Sequence, residues 1–134
     1  IAVSLSDIFC VKRHREDFLK LLISDLDILI SNENEINELM SVNNLQDSVE
    51  KLKQINKLTI ITLGEKGSLA VQNHQVTSCD SIKVDNLVDL TGAGDLFASG
   101  FLKEYLDNSD IKKCLNNGSL LASKVIQKIG ARLQ

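Results

Sequence analysis

The chain has 134 residues, 43% of them hydrophobic and 25% charged, which is enough apolar material for one packed domain and excludes a disordered chain. Its net charge of −3 argues against nucleic-acid or anionic-membrane binding, and no apolar run approaches the roughly 18 residues of a membrane span. Cys10, Cys79 and Cys114 match no metal or redox spacing, so we expect reduced thiols and a cytoplasmic protein.

Short apolar runs alternate with amphipathic segments along the chain. In chain order, the pattern predicts a strand at 1–5, a helix at 13–24, a strand at 27–30, helices at 33–40 and 45–55, strands at 58–63, 68–72, 75–78 and 82–84, and helices at 92–106 and 110–129, the last closed by Gly130. This alternation predicts one α/β domain with a mostly parallel sheet, in which ligands bind at the carboxyl ends of the strands.

Residues 89–95 (DLTGAGD) precede an apolar helix and carry the strongest chemical signal. A helix start offers N–H groups without intrahelical partners, which favours anion binding. Asp95 lies just inside that start, where it could accept the proton of a hydroxyl that attacks a phosphate. The segment indicates phosphoryl transfer. An ordinary helix start, with Thr91 as N-cap and Asp95 complementing the helix dipole, stays open as the alternative.

Two weaker candidates follow predicted strands. Asn32 and Glu35 would share a helix face, where a carboxamide and a carboxylate could hold Mg²⁺ waters and phosphate oxygens. Taken alone, a capping box explains this pair better. Residues 62–67 (TLGEKG) match neither the Walker A loop nor Gly-x-Gly-x-x-Gly, and taken alone they indicate a glycine-containing hairpin turn. All three candidates fall at the carboxyl ends of strands or before a helix.

In this order and spacing, the motifs resemble the ribokinase-like (PfkB-type) family of carbohydrate and nucleoside kinases. Residues 89–95 resemble its C-terminal signature, 32–35 its Asn-x-x-Glu motif and 62–67 its Thr-x-Gly-x-x-Gly nucleotide segment. Residues 6–15, continued by Ser-Asn-Glu at 31–33, look most like the adenosine-kinase-like branch, and the ending Gly130-Ala131-Arg132 also fits the family.

The resemblance implies a role for each residue of the glycine signature. Asp95 would be the catalytic base, which takes the proton from the acceptor hydroxyl. The backbone N–H groups of Gly92, Ala93 and Gly94 would form the anion hole for the transferring phosphoryl group.

The resemblance assigns binding roles to the other motifs. Asn32 and Glu35 would organise Mg²⁺ and phosphate, with Glu35 acting on the metal through water. The remaining implied sites are an ATP site at Thr62, Gly64 and Gly67, an adenine-facing position at Ser119, and a monovalent-cation site, of the kind that takes K⁺, at Asp89 and Thr91.

The resemblance further implies a three-layer α/β/α sandwich with a small β lid, in a protein much longer than this chain. Residues 1–134 would form its C-terminal ATP-binding and catalytic part, truncated on the N-terminal side so that the lid is absent. We therefore expect an ATP- and Mg²⁺-dependent kinase for a sugar or nucleoside, with adenosine favoured. We also expect this fragment to be inactive without its missing N-terminal half. We expect no nucleic-acid or membrane partner, and the sequence leaves the oligomeric state open.

Two other functions remain to be weighed. A non-catalytic nucleotide-binding module, or a vestigial product of a split gene, has no reason to keep a carboxylate at Asp95. A dinucleotide-binding oxidoreductase would need a Gly-x-Gly-x-x-Gly turn after the first strand, and the sequence has none there. Both observations favour the kinase.

Overall fold

The structure, a computed structural model, describes residues 1–131 of the chain. Arg132 of the Gly130-Ala131-Arg132 ending lies outside the described residues, as do positions 133 and 134. The described elements are, in chain order, β1 (Ala2–Ser4), α1 (Ile8–Arg13), α2 (Arg15–Ser24), β2 (Ile28–Asn32), α3 (Glu33–Met40), α4 (Leu45–Lys53), β3 (Leu58–Thr62), β4 (Ser68–Gln72), β5 (Gln75–Cys79), α5 (Ala93–Leu106) and α6 (Ile111–Val125). None of these helices combines the length and apolar character that crossing a membrane requires.

The alternation of strands and helices confirms the predicted α/β class. The five strands form one sheet in the order β1-β2-β3-β4-β5. The pairs β1/β2 and β2/β3 run parallel, and the register places Ile28 opposite Leu58 and Asn32 opposite Thr62. Only residues 73–74 connect β4 to β5, which is too short for a parallel crossover, so these two strands form a hairpin.

The N-terminal helical segment differs from the predicted single helix at 13–24. The Asp7 carboxylate accepts a hydrogen bond from the Phe9 N–H at 3.0 Å and caps a separate helix, α1. Val11 of α1 is fully buried, which anchors this short helix to the core. The chain bends at His14 (φ −121°) and restarts as α2. An N-cap residue followed by apolar residues is the signal that the prediction missed.

The strand predicted at 82–84 is wrong. A strand must pair with a neighbour, and these residues pair with no strand in the described part of the chain. Ile82 and Lys83 are exposed, so this short apolar segment lacks the buried face that stabilises a strand.

The last helix is shorter than predicted. It ends at Val125, and Gly130 is therefore not the residue that closes it. The Ile126 carbonyl accepts hydrogen bonds from the N–H groups of Val88 (2.8 Å) and Asp89 (3.2 Å), which diverts it from the helical ladder. A contact with a segment almost forty positions earlier in the chain thus sets this helix end.

The chain folds as two compact units. One comprises residues 1–63 and 69–76, and the other comprises residues 64–68 and the chain from position 77 onward. The core of the first unit is formed by aliphatic side chains of the strands, of α1 to α4 and of two connections between these elements: Leu5, Val11, Leu22, Leu26, Leu29, Ile36, Leu39, Met40, Val49, Leu52, Ile61, Leu69 and Val71. Burial of each large side chain contributes about 1.5–3 kcal/mol. Ile36 and Leu39 fasten α3, and this holds its first turn at the end of β2.

The second unit is built on α5 and α6. Phe97, Phe101 and Leu115 are buried, as the helical spacing of the two phenylalanines predicts. The rings of Phe101 and Tyr105 stack with their centroids 6.0 Å apart. These contacts fix the helix whose first turn carries Asp95.

The left-handed backbone of the β4–β5 turn can be tested by substitution. Asn73 (φ +50°) and His74 (φ +65°) both have left-handed backbones, as a type I′ turn requires. We expect His74→Gly to raise the free energy of unfolding by about 0.5–1 kcal/mol, because glycine adopts this conformation without a Cβ clash. Urea denaturation measures the change. His74→Ala is the matched control, since it removes the ring and keeps the Cβ. Equal stability of the two variants would contradict this account.

Candidate functional site

Asn32 and Glu35 form the predicted capping box at the start of α3. The Glu35 N–H donates to Asn32 Oδ1 at 2.9 Å. In return, Glu35 Oε2 accepts from the Asn32 backbone N–H at 2.9 Å, and Glu35 Oε1 accepts from Asn32 Nδ2 at 2.8 Å. The two side chains therefore hold each other rigidly at the carboxyl end of β2.

Thr62 lies beside this box. It is the last residue of β3 and pairs with Asn32 across the parallel sheet, and its hydroxyl donates to the Ser31 carbonyl at 3.4 Å. Of the three candidates expected at the carboxyl ends of strands, Asn32 ends β2 and Gly64 follows β3 by two residues, whereas no described strand directly precedes Gly92.

The surroundings of Glu35 fit a role near a cation. Its side chain is buried, with 6% exposure, and no ion pair among residues 1–131 includes it. Buried carboxylates are normally paired or bound to metals. Each Glu35 oxygen accepts one hydrogen bond and keeps a free lone pair. No group of three acidic, histidine or cysteine side chains comes together in the described chain, so a Mg²⁺ ion at this box would keep most of its waters.

Residues 64–66 form one turn of 3-10 helix after β3. The Gly67 N–H closes the turn by donating to the Gly64 carbonyl at 3.1 Å. A Cβ on Gly67 would lie 2.1 Å from the Cys79 carbonyl oxygen, so backbone packing alone requires this glycine. A Cβ on Gly64 would meet nothing within 4 Å. The predicted turn is confirmed, and the nucleotide-binding role of these residues stays a prediction.

The start of α5 is not capped by a side chain. Gly92 (φ +78°) occupies the N-cap position, so the alternative in which Thr91 caps this helix is wrong. The first helical hydrogen bond runs from the Leu96 N–H to the Gly92 carbonyl at 2.9 Å. Within residues 1–131, the N–H groups of Gly92, Gly94 and Asp95 donate to no acceptor. Three backbone donors at this helix start are therefore without an acceptor in the described part of the chain.

The Ala93 amide differs from its neighbours. Its N–H donates to the Leu90 carbonyl at 3.2 Å, a long bond within the turn. Of the three amides predicted for the anion hole, Ala93 would have to exchange this bond for an anion. The Asp95 N–H is also a free donor, although the motif assigned the anion hole only to residues 92–94. This donor is predictable from the sequence, since the first helical N–H groups lack intrahelical partners.

The described chain requires glycine at position 92 but not at position 94. A Cβ on Gly92 would lie 2.6 Å from the Ala131 Cβ, and the positive φ independently favours glycine. A Cβ on Gly94 would meet no atom within 4 Å. Nothing in the described chain therefore requires Gly94, and its missing side chain leaves open space beside the free N–H groups.

Asp95 is exposed, and its carboxylate takes part in no hydrogen bond or ion pair within the described range. Gly94 is likewise exposed. The turn is thus accessible rather than enclosed by packed side chains. The Asp95 carboxylate oxygens are therefore open to a hydrogen-bond donor from outside the described chain.

Asp89 ties this turn to the end of the described chain. Its Oδ1 accepts from the Thr91 N–H (2.9 Å) and the Thr91 hydroxyl (2.6 Å), and its Oδ2 accepts from the Gly130 N–H (3.0 Å). The Thr91 hydroxyl, the Thr91 N–H and the Gly130 N–H, in this order of effect, hold the pKa of Asp89 below its ordinary value. Because Gly130 is held by Asp89, the next residue, Ala131, is kept against Gly92. The monovalent-cation role of Asp89 and Thr91 stays a prediction.

Ser119 lies on α6 and is nearly buried, with 9% exposure. Its neighbour Gly118 contacts α5, because a Cβ there would lie 2.9 Å from the Phe97 carbonyl oxygen. The structure thus places Ser119 beside the helix crossing of the second unit. Its adenine-facing role stays a prediction.

The Asp89 hydrogen bonds predict a pH dependence. A carboxyl whose pKa is lowered on folding contributes stability above its unfolded pKa, and this contribution is lost as the pH falls through the folded pKa. We expect Asp89→Asn to be less stable than the unmodified protein at pH 6, and the gap to narrow below about pH 4. Urea denaturation across this range measures the gap.

Asp85→Asn is the control for this prediction. Asp85 lies on the same segment and makes no hydrogen bond in the described part of the chain. A gap between the unmodified protein and Asp89→Asn that stayed constant from pH 6 to pH 3 would contradict the assigned role of the carboxylate.

Comparison with known proteins gives the same assignment as the motifs. The family model described as "pfkB family carbohydrate kinase" matches residues 5–134. A cytidine kinase from Thermococcus kodakarensis is 33% identical over 118 residues, which cover 87% of this chain and 42% of that protein. The crystal structure of adenosine kinase from Sinorhizobium meliloti matches with a TM-score of 0.95 and 38% identity, covering 98% of this chain and 41% of that one.

A probable sugar kinase from Rhizobium etli CFN 42 matches with a TM-score of 0.94 and 36% identity, covering 98% of this chain and 40% of that one. The chain thus spans well under half the length of these relatives. The predicted ribokinase-like α/β fold is confirmed by the two structures. The match over residues 5–134 shows that the chain belongs to the pfkB family of carbohydrate kinases.

Proposed function

We propose that the chain forms the catalytic part of a kinase that transfers the γ-phosphate of ATP to a hydroxyl of a sugar or nucleoside. The observation that carries the proposal is the exposed, uncapped start of α5, where free N–H groups lie next to an unpaired Asp95 carboxylate. Membership of the pfkB family and the named kinase relatives support the same reaction.

The chemistry requires a proton acceptor and a place for negative charge. The acceptor hydroxyl oxygen attacks the γ-phosphorus, the bond from that phosphorus to the β,γ-bridging oxygen breaks, and ADP leaves. Asp95 takes the hydroxyl proton. The N–H groups of Gly92, Gly94 and Asp95 donate to the phosphoryl oxygens, with Ala93 joining once its bond to Leu90 opens. Because these donors are fixed before the reaction, little reorganisation accompanies charge transfer.

We assign Asn32 and Glu35 to the organisation of Mg²⁺ and phosphate through water. A buried carboxylate without a cation partner in the described residues supports this assignment. When bound, Mg²⁺ would neutralise phosphate charge. The capping box keeps both side chains in one geometry, so that a hydrated ion would meet preorganised acceptors.

The proposed ATP site includes Thr62, Gly64, Gly67 and Ser119, and the proposed K⁺ site includes Asp89 and Thr91. Thr62 is supported by its register opposite Asn32 at the carboxyl edge of the sheet. The open space beside Gly64 supports a close backbone approach to a nucleotide.

The acceptor is proposed from the relatives. Similarity to the Sinorhizobium adenosine kinase supports adenosine as the acceptor, and similarity to the Thermococcus cytidine kinase supports a wider class of nucleosides. Similarity to the probable sugar kinase from Rhizobium supports a sugar as the alternative acceptor. Because the chain spans 40–42% of these relatives, we propose that the acceptor pocket is completed by an N-terminal half. On this proposal the fragment alone is inactive.

Three cysteines without disulfide partners support a cytoplasmic location.

The deciding experiment is a phosphorylation screen. The chain and the same chain joined to its upstream coding region are each incubated with MgATP and a panel of nucleosides and sugars. We expect ADP release with adenosine or a close analogue only from the joined protein. Nucleotide binding by the joined protein without turnover on any acceptor would favour the non-catalytic module.

Asp95→Asn tests the base directly. The asparagine keeps the shape of the side chain and cannot accept the proton, so we expect turnover to fall by about 10²–10⁴-fold with ATP binding nearly intact. Asp107→Asn, at the opposite end of the same helix, is the matched control and should keep normal turnover. Near-normal turnover of Asp95→Asn in the full-length protein would overturn the assignment.

Glu35→Gln separates the structural role of this residue from its proposed metal role. Glutamine also completes a capping box, so we expect the free energy of unfolding to change by less than about 1 kcal/mol. Removing the charge should raise the Mg²⁺ concentration needed for half-maximal turnover by about tenfold. Magnesium titration and urea denaturation measure the two effects.

Glu33→Gln, in the same helical turn, is the control and should change neither quantity. The metal role would be refuted if Glu35→Gln kept the Mg²⁺ requirement of the unmodified protein.

A further inference from the structure

α5 and α6 touch through their backbones at one point. A Cβ on Gly100 would lie 2.7 Å from the Asn117 carbonyl oxygen and 3.0 Å from the Gly118 Cα. A Cβ on Gly118 would lie 2.9 Å from the Phe97 carbonyl oxygen. Glycines on both sides of the crossing therefore allow a contact closer than any other residue pair would permit.

Asn117 fastens this crossing with a side-chain hydrogen bond. Its Nδ2 donates to the Gly100 carbonyl at 2.8 Å. The Gly100 carbonyl belongs to the α5 backbone, so the bond ties the Asn117 side chain of α6 directly to the backbone of α5. Asn117 is partly buried, which shields the bond from water.

The crossing lies close to two proposed site residues. Asp95 precedes Gly100 by five residues on α5, about 7.5 Å along the helix axis. Phe97, which Gly118 contacts, is only two residues after Asp95. On α6, Ser119 directly follows Gly118. One contact thus fixes both the first turn of α5 and the part of α6 that carries Ser119.

We propose that Asn117 is a positioning residue for phosphoryl transfer. Its bond to Gly100 holds the first turn of α5 so that the Gly94 and Asp95 N–H groups and the Asp95 carboxylate keep their alignment. This inference rests on the proposed kinase function. Misplacement of a reacting group by about 1 Å can lower a rate up to 10²-fold, so a tie at this distance from the base has a measurable effect.

Neighbouring asparagines provide a matched pair of variants. Asn117→Asp keeps the side-chain shape, removes the donor and places a charge against the Gly100 carbonyl. Asn116→Asp adds the same charge one residue earlier and keeps the one side-chain hydrogen bond that Asn116 makes within residues 1–131, because Asn116 Oδ1 accepts from Cys79 Sγ at 2.8 Å. Asn116 is exposed. The pair therefore differs in the loss of the helix–helix bond.

The first measurement is steady-state kinetics of the full-length protein. We expect Asn117→Asp to lower kcat about tenfold or more while the KM for ATP and for the acceptor change less than about threefold. We expect Asn116→Asp to stay within about twofold of the unmodified protein in all three quantities. Equal kinetics of the two variants, or a rise in KM with kcat unchanged, would overturn the proposal. If Asn117→Asp fails to fold, Asn117→Ala replaces it.

The second measurement does not depend on activity. NMR order parameters of the Gly94 and Asp95 N–H groups should fall in Asn117→Asp and stay unchanged in Asn116→Asp. Unchanged order parameters in both variants would refute the positioning role. If the unmodified full-length protein turned over no acceptor, the proposed function would fail, and the order parameters would still decide whether Asn117 positions this turn.

Discussion

The uncapped start of α5 is the feature on which the account of this protein depends. Four other helices have a side-chain cap, and α2, like α5, has none. The capping side chains belong to Asp7 at α1, Asn32 at α3, Asn44 at α4 and Asp110 at α6, and each accepts a backbone N–H. At α5 the cap is Gly92, which has no side chain to offer. Glycine in place of a capping side chain costs roughly a few tenths of a kcal/mol, and here it leaves donors free at an exposed turn. These free donors suit the anion that the proposed function requires.

The elements around this turn hold it open and in place. Asp89 holds Gly130, and with it Ala131, beside Gly92, and the contact of α5 with α6 at Gly100 fixes the other side. A Cβ on Gly94, by contrast, would meet no atom of the described chain within 4 Å. A rigid frame with one unfilled position beside free N–H groups is the arrangement expected of a site that admits a phosphoryl group. The capping box at Glu35 likewise combines two properties, because it organises a helix start and leaves carboxylate lone pairs available.

Local signals in the sequence were enough to predict much of this structure. The helix at 33–40 matches α3 residue for residue, because its cap, its apolar spacing and its neighbouring strand all agree. The sequence also located the 89–95 turn. It could not assign the cap to Gly92 rather than Thr91, because Thr91 is drawn to Asp89, which is itself held by Gly130. The early end of α6 has the same origin, since the carbonyl of Ile126, the residue after that end, accepts hydrogen bonds from the distant Val88 and Asp89. Contacts between positions far apart in sequence leave no local pattern to read.

The most direct test is an NMR comparison of the full-length protein with and without MgADP, aluminium fluoride and the best acceptor, a mimic of the transferring phosphoryl group. We expect the Gly94 and Asp95 N–H resonances to shift strongly on addition of the mimic, and to shift far less with MgADP alone. A mimic that binds and leaves both resonances unmoved would show that the free donors of α5 do not receive the phosphoryl group, and the central claim would be wrong.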